Sequence, residues 1–148
     1  MKAVIQKSGK ASVEVNHVVT GEISKGLVIL LGITNNDTEK DVEFIADKIA
    51  NLRLFDKEEK YFEKSISDTT KEILLVSQFT LYGDCRKGRR PDFANAAKAE
   101  IAEPLYNKLV EKLKSLGLNV QTGVFREMMK VSLVNEGPVT IILESNQP

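Results

Sequence analysis

The chain opens in alternation. Ala3, Ile5 and Lys7 fall on one side of an extended segment, Val4 and Gln6 on the other, and Ala11 to Val15 repeats the two-residue period. This pattern predicts half-buried strands. Asn16-His17 sits between Val13-Glu14-Val15 and Val18-Val19-Thr20, where a hairpin would turn, and asparagine tolerates the left-handed backbone such turns demand. Leu27 to Leu31 is continuously apolar after Gly26, which reads as a strand buried on both faces. The period then changes. Val42, Ile45, Ala46 and Ile49 form one stripe of an amphipathic helix, with Asn36, Asp37 and Thr38 as candidate N-caps. Leu52 to Phe55 predicts a short strand, and the charged, irregular Lys57 to Ser67 predicts a long mobile loop.

Glu72 to Ser77 repeats the buried-strand pattern, and Gly83 to Asp92 reads as a loop. Ala102, Leu105, Leu109, Leu113 and Leu116 mark a second helix, with Pro104 placed in its first turn and Gly117 at its stop. Val120 to Thr122, Met129 to Val134 and Val139 to Leu143 read as strands, with Gly137-Pro138 separating the last two. Two helices cannot cover both faces of a sheet with this many strands. The expected fold is therefore a single α/β domain over residues 1–148. It is compact and β-rich, with layered or barrel-like mixed sheets and the two main helices on one face.

Composition narrows the function classes. Lys+Arg and Asp+Glu both number 21, so the formal net charge is zero. Contact with nucleic acid must then come from a local patch rather than a global field. The single cysteine, Cys85, excludes an internal disulfide and a Cys-rich zinc site, and the single histidine, His17, excludes His-pair metal motifs. No metal or cofactor is expected. The longest apolar run, Leu27 to Ile33, is broken by Gly32 and falls far short of the roughly 20 residues a membrane helix needs. The N-terminal segment lacks the apolar stretch of a signal peptide, so a cytoplasmic protein without membrane contact is expected.

Candidate chemistry is sparse. His17 at a hairpin tip is badly placed for acid–base work and reads as a turn residue, which leaves no Ser-His-Asp or Cys-His arrangement. Cys85 lies beside basic residues that favour the thiolate, but without a histidine partner it reads as an incidental loop residue. Arg86, Lys87, Arg89 and Arg90 form the densest basic cluster. It reads as a phosphate-backbone contact or as a solvated loop, and the cluster alone does not choose. Ser77-Gln78-Phe79-Thr80 follows a buried strand. Strand ends often present ligand groups, and backbone N–H groups there can stabilise an oxyanion. Alone, the segment reads as a strand end with alternating polar residues.

The combination is more specific than its parts. Ser77-Gln78-Phe79-Thr80-Leu81-Tyr82, then Cys85-Arg86-Lys87-Gly88-Arg89-Arg90-Pro91, then Val131 to Thr140 containing Asn135-Glu136-Gly137-Pro138, resemble the D-aminoacyl-tRNA deacylases. Ala3 to Gln6, Gly26 to Gly32 and Thr122-Gly123-Val124-Phe125 are similar to the same family, so the resemblance covers nearly the whole chain. It implies a homodimer with two active sites at the subunit interface and hydrolysis of the ester joining a D-amino acid to tRNA. Glycine mischarged on tRNA is implied as a further substrate.

By this resemblance, Ser77, Gln78, Phe79 and Thr80 line the pocket for the terminal adenosine and aminoacyl group. Backbone N–H groups near Phe79 stabilise the oxyanion, the terminal 2′-hydroxyl of the tRNA assists, and Thr80 positions. Gly137-Pro138 matches a motif whose bond is cis and whose carbonyls enter the partner subunit's pocket. An L-side chain there meets fixed backbone and a D-side chain does not. Lys7, Met129 and Phe125 are assigned to substrate binding, and Arg86, Lys87, Arg89 and Arg90 to tRNA. A non-catalytic RNA-binding homodimer using the Arg86–Arg90 loop is the alternative.

The sequence also departs from the family pattern. Lys7 stands where arginine is common and cannot reproduce its planar fork. Arg126-Glu127-Met128-Met129 replaces a stretch usually small and acidic, although Met129 still fits. Asp92 replaces a common serine, and Tyr61 to Ser67 replaces a loop containing Met-Asn.

Overall fold

A computed structural model describes residues 1–146. Ten strands and two α-helices follow one another as β1 (Lys2–Ser8), β2 (Ala11–Val15), β3 (Val18–Ile23), β4 (Gly26–Gly32), α1 (Glu39–Asn51), β5 (Phe55–Lys57), β6 (Lys60–Lys64), β7 (Glu72–Ser77), α2 (Ala99–Ser115), β8 (Asn119–Thr122), β9 (Lys130–Ser132) and β10 (Asn135–Glu144). A five-stranded sheet runs β10-β1-β4-β7-β8, a three-stranded sheet runs β3-β2-β9, and β5 pairs with β6. The pairs β4·β7 and β7·β8 are parallel, and β1 is antiparallel to both neighbours. No helix among the described residues is long and apolar enough to cross a membrane.

The two-residue period decides the layering. Ala3, Ile5, Leu27, Ile29, Leu31, Ile73 and Leu75 project to one face of the large sheet and pack with Val42, Ile45 and Ile49 of α1 and Leu105, Leu109 and Leu113 of α2. Val28, Leu74 and Val76 project to the other face and pack with Ala11, Val13 and Ile23 of the small sheet. The α/β class, the mixed layered sheets and the helices on one face agree with the sequence expectation. The Asn16-His17 turn does as well: both residues have positive φ, 48° and 65°, as a two-residue type I′ hairpin requires.

Four expectations need correction. Leu52 to Phe55 is not a strand: the strand begins only at Phe55 and runs to Lys57. Lys57 to Ser67 is not a loop. It contributes to the β5–β6 hairpin and a short 3₁₀ turn over Ile66–Asp68. Lys57 opposes Lys60 and Phe55 opposes Lys64, which leaves Tyr61 to Glu63 bulged against Asp56. The extended pairing of a short hairpin and the positive φ of Glu58 and Phe62 hide its period. Pro104 is not in the first turn of α2, because the helix begins at Ala99, ahead of its apolar stripe. Nor do Gly137 and Pro138 separate two strands. They lie within β10, in a bulge.

That bulge is the main irregularity of the large sheet. Gln6 pairs with Thr140 and Ser8 with Asn135, so Lys7 alone on β1 faces Glu136 to Val139 on β10. The Asn135 side chain closes it: Oδ1 accepts the Val139 N–H at 3.1 Å and Nδ2 donates to Thr140 Oγ1 at 2.8 Å. Gly137 has φ of 121° and a Cβ there would lie 2.8 Å from Val139 Cγ2, so only glycine fits.

Candidate active site

Strands β4 and β7 run parallel and end side by side, with Leu31 opposite Ser77. The carboxyl ends of parallel strands are where open α/β sheets bind ligands, and a cavity of about 580 Å³ opens here. Its size suits a small organic group. Ser77, Gln78, Phe79 and Thr80 form one wall, Phe125 to Met129 another, and Ala97, just ahead of α2, with Ala99 and Ala102 in its first turn, a third. Leu31, Ile33, Val76 and Val131 complete the apolar lining.

The strand-to-turn transition sets the chemistry of the first wall. The Gln78 N–H donates to Leu31 O at 2.7 Å, finishing the ladder, and the chain then winds into a 3₁₀ turn over Phe79–Tyr82. Its first bond runs from the Leu81 N–H to Gln78 O at 3.3 Å. The N–H groups of Phe79 and Thr80 precede that bond, so the turn itself gives them no acceptor. The Thr80 hydroxyl accepts a hydrogen bond from the Gln78 side-chain amide. An amide is not a base, so this contact orients the hydroxyl and does not activate it.

Packing behind the cavity holds its aromatic residues. Tyr106 donates its hydroxyl to Leu75 O at 2.9 Å, and its ring lies 5.8 Å from that of Phe125. Burial pushes the Tyr106 phenol well above its usual range. Phe79 meets Phe93 edge-on at 5.1 Å yet stays 57 % exposed. Met129 leans on Gly123, where a Cβ would sit 2.4 Å from its sulfur.

The other candidate residues lie elsewhere. Gly137, Pro138 and Lys7 do not line this cavity. The Gly137-Pro138 bond is cis, as the resemblance implies. Lys7 reaches Asp56 at 3.9 Å and lies 5.8 Å from the Phe55 ring. Arg86 is occupied by Asp84: Nη2 approaches Oδ2 at 2.6 Å and Nε approaches Oδ1 at 2.9 Å. Hydrogen bonds from the Arg86 side chain, then its backbone, hold the Asp84 carboxyl down at about 2. Paired backbone bonds between Asp84 and Asp92, 2.7 and 2.9 Å, close this loop at its base. Lys87, Arg89 and Arg90 stay exposed on it. His17 is 90 % exposed beside Glu14, and Cys85 is an exposed free thiol.

The sequence pattern of the family described as D-Tyr-tRNA(Tyr) deacylase matches residues 4–144. The chain belongs to this family. A D-aminoacyl-tRNA deacylase of Brevibacillus brevis is 57 % identical over 145 residues, covering 98 % of this chain and 100 % of the relative. A solved structure described as c-Myc DNA Unwinding Element Binding Protein superposes with a TM-score of 0.92 at 44 % identity, covering 99 % of this chain and 100 % of that one. A probable eukaryotic D-amino acid tRNA deacylase shares the fold at a TM-score of 0.81 and 15 % identity, covering 96 % of this chain and 97 % of that one.

Membership makes the chain an enzyme of the deacylase family. Ser77 to Thr80 and Phe125 to Met129 fall within the matched span and meet in one cavity. Reasoning from sequence missed the contributions of Leu31, Ala97 and Ala102, which carry no chemical signature and are brought in by topology alone. It noted Arg126 to Met128 only as a departure. The change from small to charged residues was the available signal.

Proposed function

We propose that the protein hydrolyses the ester of D-aminoacyl-tRNA, and of glycine mischarged on tRNA, releasing the amino acid and free tRNA. The observation that carries this reading is the cavity wall at Phe79 and Thr80, where two backbone N–H groups precede the first bond of a 3₁₀ turn. Such donors suit the oxyanion of a tetrahedral ester intermediate. The single histidine, His17, does not line the cavity, so proton transfer falls to the substrate's own terminal 2′-hydroxyl and to water. Ser77 and Gln78 border the aminoacyl group, with Gln78 fixing Thr80. Phe125 and Met129 face them from the opposite wall.

The working unit in this reading is a cytoplasmic homodimer. The Glu136–Val139 bulge projects from one subunit, and its Gly137-Pro138 carbonyls enter the partner's cavity. Fixed backbone there obstructs an L-side chain, admits hydrogen and leaves a D-side chain free. Lys7 lies opposite the bulge on β1 with its ammonium turned to Asp56, and the Asn135 side chain steadies the bulge. Lys87, Arg89 and Arg90, exposed on a closed loop, meet the tRNA backbone, while Arg86 braces the loop through Asp84.

The test compares D-tyrosyl-tRNA with L-tyrosyl-tRNA, with chelator present. Rapid loss of the D-ester alone is the expected result. Loss of both removes the exclusion mechanism. Loss of neither, with tRNA still bound, turns the reading to a non-catalytic RNA-binding homodimer. The exposed basic loop and a structural relative described as binding DNA are what favour that second reading.

A further inference from the structure

The turn that builds the cavity's second wall runs against its own sequence. The Glu127 N–H donates to Val124 O at 3.2 Å, closing a turn over Val124–Glu127, and its third residue, Arg126, has φ of 70°. A positive φ at that position selects glycine or asparagine. An arginine there carries the steric penalty that L-residues meet in left-handed backbone. Such residues persist when the surroundings hold them in place, and they gather at functional sites.

What Arg126 brings is a free guanidinium. Arg126 lines the cavity and is exposed. Among the described residues it makes no ion pair and no side-chain hydrogen bond. Its neighbour Glu127 also lines the cavity and does not pair with it. Arg126 is the only cationic side chain of the lining, and none of Arg86, Lys87, Arg89 and Arg90 reaches it.

We propose that Arg126 is a positioning residue that holds the phosphodiester of the substrate's 3′-terminal nucleotide. The inference rests on the D-aminoacyl-tRNA reading. An ester bond placed against Phe79 and Thr80 brings the terminal ribose into the cavity, and that nucleotide's own phosphate follows to the mouth. A guanidinium matches phosphate with paired donors. The strained turn is the cost of placing that fork on the wall facing the oxyanion donors.

The substitution Arg126→Gly separates this role from a structural one, because the two effects have opposite sign. Glycine relieves the turn, so the thermal midpoint rises by about 2–4 °C. Binding weakens. KM for D-tyrosyl-tRNA rises about fivefold at low salt, within the range of exposed charge pairs, while kcat changes less. The slope of log affinity against log salt falls by about 0.7, the share of one single-strand phosphate. With 3′-O-D-tyrosyl-adenosine, which has no phosphate, KM for the variant matches wild type.

An unchanged KM on tRNA with an active wild type overturns the inference alone. An equal rise in KM on both substrates also overturns it, by assigning Arg126 to cavity shape. An inactive wild type removes the deacylase reading and this inference together.

Discussion

Thr80 is the residue whose chemistry is most easily misread. A hydroxyl in the cavity wall of an esterase invites the role of nucleophile, but its observed partner is the Gln78 amide. A nucleophilic hydroxyl needs a base to take its proton, and His17, the single histidine, is exposed at a hairpin tip. Thr80→Val should therefore retain turnover within about tenfold of wild type in single-turnover hydrolysis of D-tyrosyl-tRNA. Loss of one neutral hydrogen bond is worth ~1 kcal/mol. A collapse by several orders of magnitude would restore Thr80 as the attacking group. The basic cluster shows what residue-level reading can and cannot do. Its composition was plain in the sequence, but the division of labour was not. Arg86 is held by Asp84, two residues earlier, and only geometry shows that its charge is already engaged.

At the scale of elements, periodicity was legible where one face is buried and one is not. The alternation of β1 and β2 and the stripe of α1 predicted elements that are present. It was illegible where pairing is short and both faces are wet: β5 and β6 are almost entirely exposed, so no hydrophobic period marks them. The start of α2 was obscured because Ala99 to Ile101 precede the buried stripe.

The start of α1 falls at one of the three N-cap candidates the sequence offered, and its energetics can be tested. Thr38 is the N-cap, and the Asp41 carboxylate accepts the Thr38 N–H at 2.7 Å and the Ser145 hydroxyl at 2.6 Å. Burial alone raises the Asp41 pKa, but the hydrogen bonds from Ser145 and Thr38 outweigh it and the net shift is downward. A carboxylate depressed in the folded state stabilises above its unfolded pKa of about 3.9 and loses that contribution as pH falls through the lower folded value. Asp41→Asn should cost ~1–2 kcal/mol at pH 7. The gap to wild type should narrow below about pH 4. Denaturant titrations at the two pH values, at equal protein concentration, measure it. A pH-independent gap would show that packing, not charge, is what the substitution removes.

At the scale of the whole molecule, the large sheet is covered unevenly. The small sheet packs over Val28, Leu74 and Val76. Toward the β10 edge, Val4 lies between Leu30 and Ile142 in register. There Ile142 is 68 % exposed, and Val134, just before β10, is 61 % exposed. The sequence could not reveal this, because the same alternation marks a strand covered by its own chain and one left for another. In the homodimer we propose, this face beside the Gly137-Pro138 bulge meets its counterpart. A two-fold interface counts each substitution twice. Replacing Ile142 with aspartate removes ~2 kcal/mol of apolar burial per copy and adds a carboxylate that has no partner. Together, ~4 kcal/mol or more weakens association about 1,000-fold. Sedimentation at micromolar concentration should show Ile142→Asp as a folded monomer, and hydrolysis of D-tyrosyl-tRNA should fall with it, because each cavity then lacks the partner's bulge. A monomer with full activity and intact chiral selectivity would show that one chain suffices. A dimer of undiminished affinity would move the interface to another face.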